Sequence, residues 1–235
     1  MSFKLGDYII DRLRSDFLQQ TFQEKGNWGK LLDLGCGNKP YRDFYQKYCD
    51  SSIGIDIENS LHRNEHIDQY YDGEHIPFED GHFDTVLCTE VLEHVPNPLS
   101  FLEEIHRVLK PHGTLVLSVP FLQLLHEVPH DYHRFTPFAL KKLMNQSQFE
   151  LTRIAGLGGS GGFWITLLIR KPLKFWNKLS KIVRWKALYS VYNPFIFLFA
   201  FLPQYFYVKA SRPKIDEAVF GHETCKGYVL IAQKR

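Results

Sequence analysis

Several features that define other classes of protein are missing from this chain of 235 residues. Its four cysteines form no CxxC pair, which leaves no sign of a disulfide framework. The apolar run Phe195–Leu202 is far shorter than the ~20 residues of a membrane-spanning helix. No secretory signal peptide is expected either, because the first apolar stretch carries three acids, Asp7, Asp11 and Asp16. These absences favour a protein of the reducing cytosol.

The charge is also nearly balanced, with 28 basic and 26 acidic residues, so composition alone does not indicate nucleic acid binding. A hydrophobic fraction of 44% is ordinary for a globular protein and is enough for one good core with an appendage.

What the chain does have is a glycine-containing turn between two predicted strands. Residues 31–41 read LLDLGCGNKPY, in which leucines predict a short buried strand, and Gly35 and Gly37 allow a tight turn after it. A second predicted strand ends at Asp56, about 20 residues after Gly35, where a nucleotide-binding βαβ unit presents a carboxylate to a ribose diol. The two segments together predict a site for an adenosine-containing ligand.

The turn does not fit a dinucleotide. A nicotinamide or flavin dinucleotide needs a third glycine, which lets helix and strand close around the pyrophosphate, and that position is Pro40. Asp33, just before the turn, would repel a pyrophosphate but suits a ligand tail that carries an ammonium and a sulfonium. An NAD-dependent oxidoreductase is therefore only the third-ranked interpretation.

The pattern D-x-G-x-G, followed by a lone acid after the second strand, resembles the S-adenosylmethionine site of the class I methyltransferases. Later segments resemble further motifs of that family in the correct order: Asp72-Gly73, a fourth strand with an E-H turn (residues 76–95), and a fifth strand behind a K-P-x-G loop (residues 109–121). The resemblance covers about residues 29–157. It is closest to type-11-like methyltransferase domains of bacterial sugar and cell-surface pathways.

The resemblance implies S-adenosyl-L-methionine as the cofactor and assigns the residues that contact it. The residues implied to surround its methionine end are Asp33, Gly35, Cys36, Gly37, Thr89 and Glu90. Those implied at its adenosine end are Asp56 at the ribose hydroxyls, Ile57 beside the adenine, and Asp72 with Gly73 at the adenine amino edge.

Strands alternate with helices from residue 31 onward, which predicts an α/β fold of the Rossmann-like, three-layer kind. Helices are predicted after Asp7, Asn97 and Thr136, with each of these residues as the N-cap. Residues 149–155 and 227–233 are the last two predicted strands. The family resemblance implies seven strands, mostly parallel, with the last one antiparallel.

An insertion, residues 158–225, separates the last two strands and leaves residues 1–157 and 226–235 as the S-adenosylmethionine-binding domain. It opens with the segment GLGGSGG (residues 156–162), interpreted as a hinge, and has no acid before Asp216. Apolar residues between Phe175 and Val183 repeat at helical spacing opposite lysines. Such a helix is typical of an anionic membrane surface, and equally of a cap whose aromatics pack on the catalytic domain.

The segment after the fifth strand, LHEVPHDYHRFTP, contains the acceptor-side candidates. His130 or His133, oriented by Asp131, is the candidate general base, since imidazole titrates near neutral pH. The same residues could instead hold the loop through hydrogen bonds. His94, in the E-H turn, is a weaker candidate.

The letters HEVPH in this segment match the zinc-protease pattern H-E-x-x-H, but Pro129 disfavours the continuous helix that this pattern requires. We therefore assign no metal site. A cluster of His126, His130, Asp131 and His133 remains an alternative whose geometry the sequence does not fix.

The leading interpretation is an S-adenosylmethionine-dependent methyltransferase acting on an oxygen of a sugar-containing or lipid-linked small molecule. Methyl transfer to nitrogen or carbon is the near alternative. From another class, the alternative is a non-catalytic membrane-surface protein that binds an adenosine ligand. Nucleic acid is not an expected partner, because the basic stretch is mixed with many apolar residues. The expected location is the cytoplasm, either free or peripheral on the inner face of the membrane.

Overall fold

The computed structural model describes residues 7–58, 65–169, 198, 201–211, 214–215 and 225–235. Eight strands in these residues form one sheet: β1 Lys30–Leu34, β2 Ser51–Ile57, β3 Gln69–Tyr71, β4 Phe83–Thr89, β5 Leu109–Pro120, β6 Phe149–Leu157, β7 Lys214–Ile215 and β8 Gly227–Lys234. Their order across the sheet is β3-β2-β1-β4-β5-β8-β6-β7.

Strands β1 to β5 are parallel to one another, and β8 lies antiparallel between β5 and β6. This confirms the predicted Rossmann-like sheet with its antiparallel last strand. The strand order reverses between β1 and β4, which is where open α/β sheets bind ligands. The two-residue edge strand β7, which pairs with β6, comes from the insertion and was not predicted.

The described helices cover both faces of the sheet. They are α1 Tyr8–Lys25, α2 Arg42–Tyr45, a 3₁₀ helix Leu92–His94, α3 Pro98–Val108, α4 Pro137–Gln146, α5 at residues 160–169, and α6 Leu202–Ala210. The caps of α3 and α4 are confirmed, because Asn97 accepts from the Ser100 N–H and Thr136 accepts from the Ala139 N–H. Asp7 is at the predicted N-cap position of α1, but its side chain makes no capping hydrogen bond and accepts from the Gln123 side chain.

Two apolar clusters lie on opposite faces of the sheet, as the alternation of side chains along a strand requires. Leu32 and Leu34 of β1 belong to the cluster under α3 and α4, whereas Leu31 belongs to the cluster under α1. Helix α4 buries Leu140 and Met144, four residues apart on one face. Phe138, in the first turn of the same helix, is 65% exposed.

The described parts of the insertion pack on this body. Helix α6 lies against α1, and Tyr207 of α6 contacts the apolar cluster under α1. A Cβ atom on Gly161 or Gly162 would lie 2.9 Å from the Tyr207 ring, so these glycines allow a close approach of α5 and α6. The segment predicted as a hinge is therefore a strand end, a turn and a packed helix.

The predicted basic amphipathic helix, residues 175–183, lies outside the described residues. Among the helices that are described, none is long and apolar enough to cross a bilayer.

Candidate functional site

The carboxyl ends of β1, β2, β3 and β4 meet at one edge of the sheet, and this edge gathers the residues predicted to bind the cofactor. At the end of β1, Asp33 is only 2% exposed and accepts a 3.1 Å hydrogen bond from the Tyr45 hydroxyl. Burial raises the pKa of Asp33 to about 7. A positively charged ligand group next to this carboxyl would stabilise its charged form.

The turn after β1 needs both of its glycines. Gly35 has φ +69°, and a Cβ atom there would lie 2.3 Å from Cγ2 of Val91. Gly37 has φ +49°, and its N–H donates a 2.8 Å hydrogen bond to Oδ2 of Asp56. The other oxygen of Asp56 accepts from the Ile57 N–H at 2.8 Å. The structure thus brings together the turn and the acid that the sequence linked.

Two further predicted residues line the same turn and the neighbouring strand end. Cys36 is buried, and burial raises the pKa of its thiol to about 12. The thiol therefore stays uncharged beside the site. Thr89 is the last residue of β4 and pairs with Ser118 of β5.

Sequence reasoning missed a lysine that fixes this turn. Lys39 has φ +48°, is 8% exposed, and donates through Nζ to the carboxylate of Asp68. The same carboxylate accepts from the Gly54 N–H at 2.7 Å. A Cβ atom on Gly54 would lie 2.2 Å from Cε of Lys39, so the lysine crosses β2 at its one glycine. A glycine inside a strand signals such a close approach, and Gly54 was the available clue.

The adenine-side residues are adjacent at the ends of β2 and β3. Ile57 is 41% exposed, so it is not a residue of the hydrophobic core. A Cβ atom on Gly73 would lie 3.2 Å from Cγ2 of Ile57. Asp72 accepts from the N–H groups of His75 and Glu74 at 2.7 and 2.8 Å, and these bonds lower its pKa. Asp72 therefore shapes the loop beside Ile57.

At the end of β4, Glu90 is held by a residue that the sequence did not single out. Its Oε1 lies 2.8 Å from Nη1 of Arg14 and accepts from the Ser118 hydroxyl at 3.1 Å. Arg14 comes from α1, is 4% exposed and also pairs with Asp11 at 2.6 Å. The clue in the sequence is a charged residue between Leu13 and Phe17 on the apolar face of α1.

The loop that contains the acceptor-side candidates, residues 125–137, is hydrogen-bonded to the 3₁₀ helix that follows Glu90. The N–H groups of Tyr132 and His133 donate to the backbone oxygen of Glu93 at 2.9 and 3.2 Å. The Glu93 side chain is fully buried, and burial raises its pKa well above the usual range. Titratable groups therefore lie next to the end of β4.

The pairing expected from the sequence for Asp131 is not the one that the structure shows. The Asp131 carboxylate accepts from both Nη atoms of Arg134, at 2.7 Å for the Nη2 bond, and lies 3.3 Å from Nδ1 of His126. Burial alone would raise the pKa of Asp131, but the bonds from Arg134 and from the His126 N–H outweigh it and hold the pKa at about 2. Asp131 thus orients His126 rather than His130 or His133.

His130 and His133 differ in access to solvent. His130 is exposed, with Nδ1 3.2 Å from the Tyr132 hydroxyl. The Nε2 atom of His133 is buried, and its ring packs 5.2 Å from that of Phe135. Residues 126–130 are not helical, which confirms that they do not form a zinc-protease helix.

Comparison with known proteins gives a consistent result. Residues 32–117 match the sequence model of a family described as a methyltransferase domain. A ubiquinone biosynthesis O-methyltransferase of Dechloromonas aromatica is 30% identical over 177 residues, which cover 63% of this chain and 75% of that protein. An enzyme of the same name from Psychrobacter cryohalolentis is 29% identical over 185 residues, covering 64% and 72%.

Among solved structures, a protein of Thermotoga maritima described as an S-adenosylmethionine-dependent methyltransferase superposes with a TM-score of 0.58. The match covers 97% of this chain and 93% of that one at 15% identity, and at this identity it shows the fold alone.

Proposed function

Because the chain belongs to the class I S-adenosylmethionine-dependent methyltransferases, we propose that it methylates a hydroxyl oxygen of a small molecule that contains a sugar or is linked to a lipid. Membership of the family makes the chain a methyltransferase and S-adenosylmethionine its cofactor. Oxygen is favoured over nitrogen or carbon because the relatives at 29 and 30% identity are named O-methyltransferases.

The donor side fits a cationic cofactor. When bound, S-adenosylmethionine supplies a methyl group on a positively charged sulfur, which a nucleophile can displace. The buried Asp33 carboxyl, with its pKa raised to about 7, would be stabilised by the ammonium of that ligand. Asp56 would accept from the ribose hydroxyls, and the exposed Ile57 with Gly73 would flank the adenine. The other proposed contacts are Gly35, Cys36, Gly37, Asp72, Thr89 and Glu90.

One observation carries the proposal: the histidine-rich loop at residues 125–137 is held beside the end of β4. The N–H groups of Tyr132 and His133 hold it there by donating hydrogen bonds to the Glu93 backbone oxygen. A hydroxyl acceptor must lose its proton as it is methylated, so a base is needed there. Of the two candidates from the sequence, His130 is exposed, whereas the Nε2 of His133 is buried. His130 is therefore the proposed base, and Asp131 supports the loop through His126.

Apolar side chains next to this loop support an acceptor with a lipid part. Leu124, Leu125 and Val128 are 46, 75 and 67% exposed, so the loop presents apolar surface beside its titratable groups. Residues 158–225 are proposed as a helical insertion beside the domain formed by residues 1–157 and 226–235. Its basic stretch would suit an anionic membrane surface, with the protein peripheral on the cytoplasmic side.

The test uses purified protein, methyl-labelled S-adenosylmethionine and an extract of the source cells separated into lipid, glycan and soluble fractions. We expect label in a lipid or glycan as a methyl ether, identified by NMR. Label on nitrogen or carbon would replace the oxygen proposal with the near alternative. Absence of label in every fraction, with the cofactor still bound, would favour the non-catalytic binding protein.

A further inference from the structure

A buried carboxylate faces two histidines at the edge of the sheet that carries the site. The Oε1 atom of Glu93 lies 3.7 Å from Nε2 of His94 and 3.9 Å from Nε2 of His126. One ligand atom from each of the three residues lies within 4.8 Å of the others. Glu93 is 0% exposed, and neither of its carboxylate oxygens has a hydrogen-bond partner in the described residues.

Hydrogen bonds within this cluster do not explain its arrangement. The distances of 3.7 and 3.9 Å exceed the range of about 2.7–3.2 Å for such bonds. A buried carboxyl group without hydrogen-bond partners destabilises the folded state, because it loses its hydration and gains no bond in exchange. The rings of His94 and His126 meet edge to face at 4.9 Å, but ring packing alone does not require both Nε2 atoms to face one carboxylate. A further group that binds all three atoms would account for the geometry.

In both histidines Nε2 faces Glu93, and Nδ1 contacts a different group. Nδ1 of His94 lies 2.9 Å from the backbone oxygen of His130, which can only accept, so this nitrogen carries the hydrogen. Nδ1 of His126 lies 3.3 Å from Oδ2 of Asp131, which accepts, and 3.5 Å from Nη2 of Arg134, which donates. With its hydrogen on Nδ1, His94 presents the Nε2 lone pair to Glu93, and His126 does the same in the tautomer whose Nδ1 donates to Asp131. Metal-binding histidines are oriented in this way, by a carbonyl or carboxylate behind the ring.

We propose that Glu93, His94 and His126 bind one divalent transition-metal ion. Two imidazoles and a carboxylate suit Zn²⁺, and also Mn²⁺ or Fe²⁺, better than Mg²⁺, which prefers oxygen ligands. Bonds of about 2.1 Å in a tetrahedral site place ligand atoms about 3.4 Å apart, so each histidine Nε2 needs to approach Oε1 of Glu93 by only a few tenths of an ångström. Oε2 of Glu127 also lies 3.7 Å from Nε2 of His94, but it is not one of the three proposed ligands.

This cluster replaces the expectation of no metal site, and it differs from the four-residue alternative considered from the sequence. Only His126 is common to both, because Asp131 acts behind His126, and His130 contributes its backbone oxygen. The decisive partner, Glu93, lies in the E-H turn, 33 residues before His126. Only the folded chain brings the two together.

The role of the ion rests on the proposed function. With three protein ligands, a divalent ion keeps a coordination position for a further oxygen, as in catalytic sites. A hydroxyl bound there would lose its proton more readily, because the ion stabilises the resulting negative oxygen. The proton would pass to His130 or to solvent, and the oxygen would then attack the methyl carbon as the bond from that carbon to sulfur breaks, with neutral S-adenosylhomocysteine as the leaving group. Glu93 lies three residues after Glu90, so the bound oxygen would be beside the donor site.

The experiment is isothermal titration calorimetry of the chelator-treated full chain with Zn²⁺ and with Mn²⁺, using Mg²⁺ for comparison. We expect one Zn²⁺ bound per chain, more tightly than Mg²⁺. The variants Glu93→Gln and His126→Asn should each weaken Zn²⁺ binding by at least about tenfold. His112→Asn is the matched control, since this exposed histidine lies at the start of β5, and it should bind like the original chain.

Circular dichroism of each variant checks that it is folded, and the visible spectrum of bound Co²⁺ gives a second signal that reports ligand type. No saturable binding of any of these ions by the original chain would overturn the proposal. Equal binding by the original chain, Glu93→Gln and His126→Asn would also overturn it, because the ion would then sit elsewhere. Binding needs no acceptor, so the site can stand even if methyl transfer to oxygen fails.

Discussion

The N–H of Gly37 donates a 2.8 Å hydrogen bond to Oδ2 of Asp56, joining the turn after β1 to the end of β2. Two segments that lie 19 residues apart in the chain thereby form one wall of the cofactor site. Each carboxylate oxygen of Asp56 accepts a hydrogen bond from a backbone N–H, so the carboxylate is oriented before any ligand binds. Preorganised acceptors of this kind bind donors at little entropic cost.

Replacing Asp56 by alanine should therefore weaken binding of S-adenosylhomocysteine. Hydrogen bonds to a charged group contribute about 1.5–3 kcal/mol, so we expect a loss of about ten- to a hundredfold in affinity. Calorimetry of the variant measures this directly. Asp16→Ala, which removes an exposed acid of α1 paired with Arg12, is the control and should bind normally. Unchanged affinity in Asp56→Ala would contradict the assignment of the ribose contact.

Gly35→Ala should destabilise the protein more than Gly26→Ala. Both glycines have positive φ, at +69° and +80°, so both substitutions strain the backbone. At Gly35 the new Cβ would also lie 2.3 Å from Val91, whereas at Gly26 nothing lies within 4 Å. We expect about 1 kcal/mol for Gly26→Ala and about 2–4 kcal/mol for Gly35→Ala in urea unfolding. Equal losses would show that the turn relaxes easily.

Asp33 predicts a specific pH dependence of the ligand-free protein. Its pKa is about 7 in the folded chain and near the model-peptide value of 3.8 when unfolded. Between these values the folded state holds a proton that the unfolded state has released, so the free energy of unfolding falls as pH rises. Asp33→Asn removes this loss, and its stability relative to the original chain should increase by about 2–4 kcal/mol from pH 5 to pH 8. A constant difference across that range would mean that Asp33 does not titrate there.

Arg14→Leu should be far more disruptive than Arg12→Leu in the same helix. Arg14 is 4% exposed, and its loss would leave Asp11 and Glu90 without their shared cation, which costs about 3–5 kcal/mol for a buried pair. Arg12 pairs with Asp16 at the surface, where such pairs contribute about 1 kcal/mol or less. Thermal unfolding of the two variants compares them. The double variant Arg14→Leu with Glu90→Gln should be more stable than Arg14→Leu alone. If it is not, the loss in Arg14→Leu does not come from an unpaired Glu90.

Local patterns in the sequence predicted much of this structure. The caps at Asn97 and Thr136 depend on neighbours three residues away, and the turn glycines and Asp56 follow the spacing of one βαβ unit. Such features are encoded by short-range geometry, and the sheet topology followed from the family resemblance.

The residues that the sequence did not reveal act through contacts between distant segments. Arg14 reaches Glu90 from α1, and Lys39 reaches Asp68 across β2. Asp131 was assigned to the wrong histidine, because sequence proximity favoured His130 and His133 over His126, the residue whose ring it contacts. The loop that holds His126 and Asp131 has no regular structure. Its packing brings the two side chains together, and no spacing rule in the sequence predicts that contact.

The most direct test of the cofactor site is a calorimetric titration of the original chain with S-adenosylmethionine and, separately, with NAD⁺. The account predicts one S-adenosylmethionine bound per chain and no measurable heat from NAD⁺, since Pro40 stands where a dinucleotide site needs its third glycine. Binding of NAD⁺ without uptake of S-adenosylmethionine would contradict it.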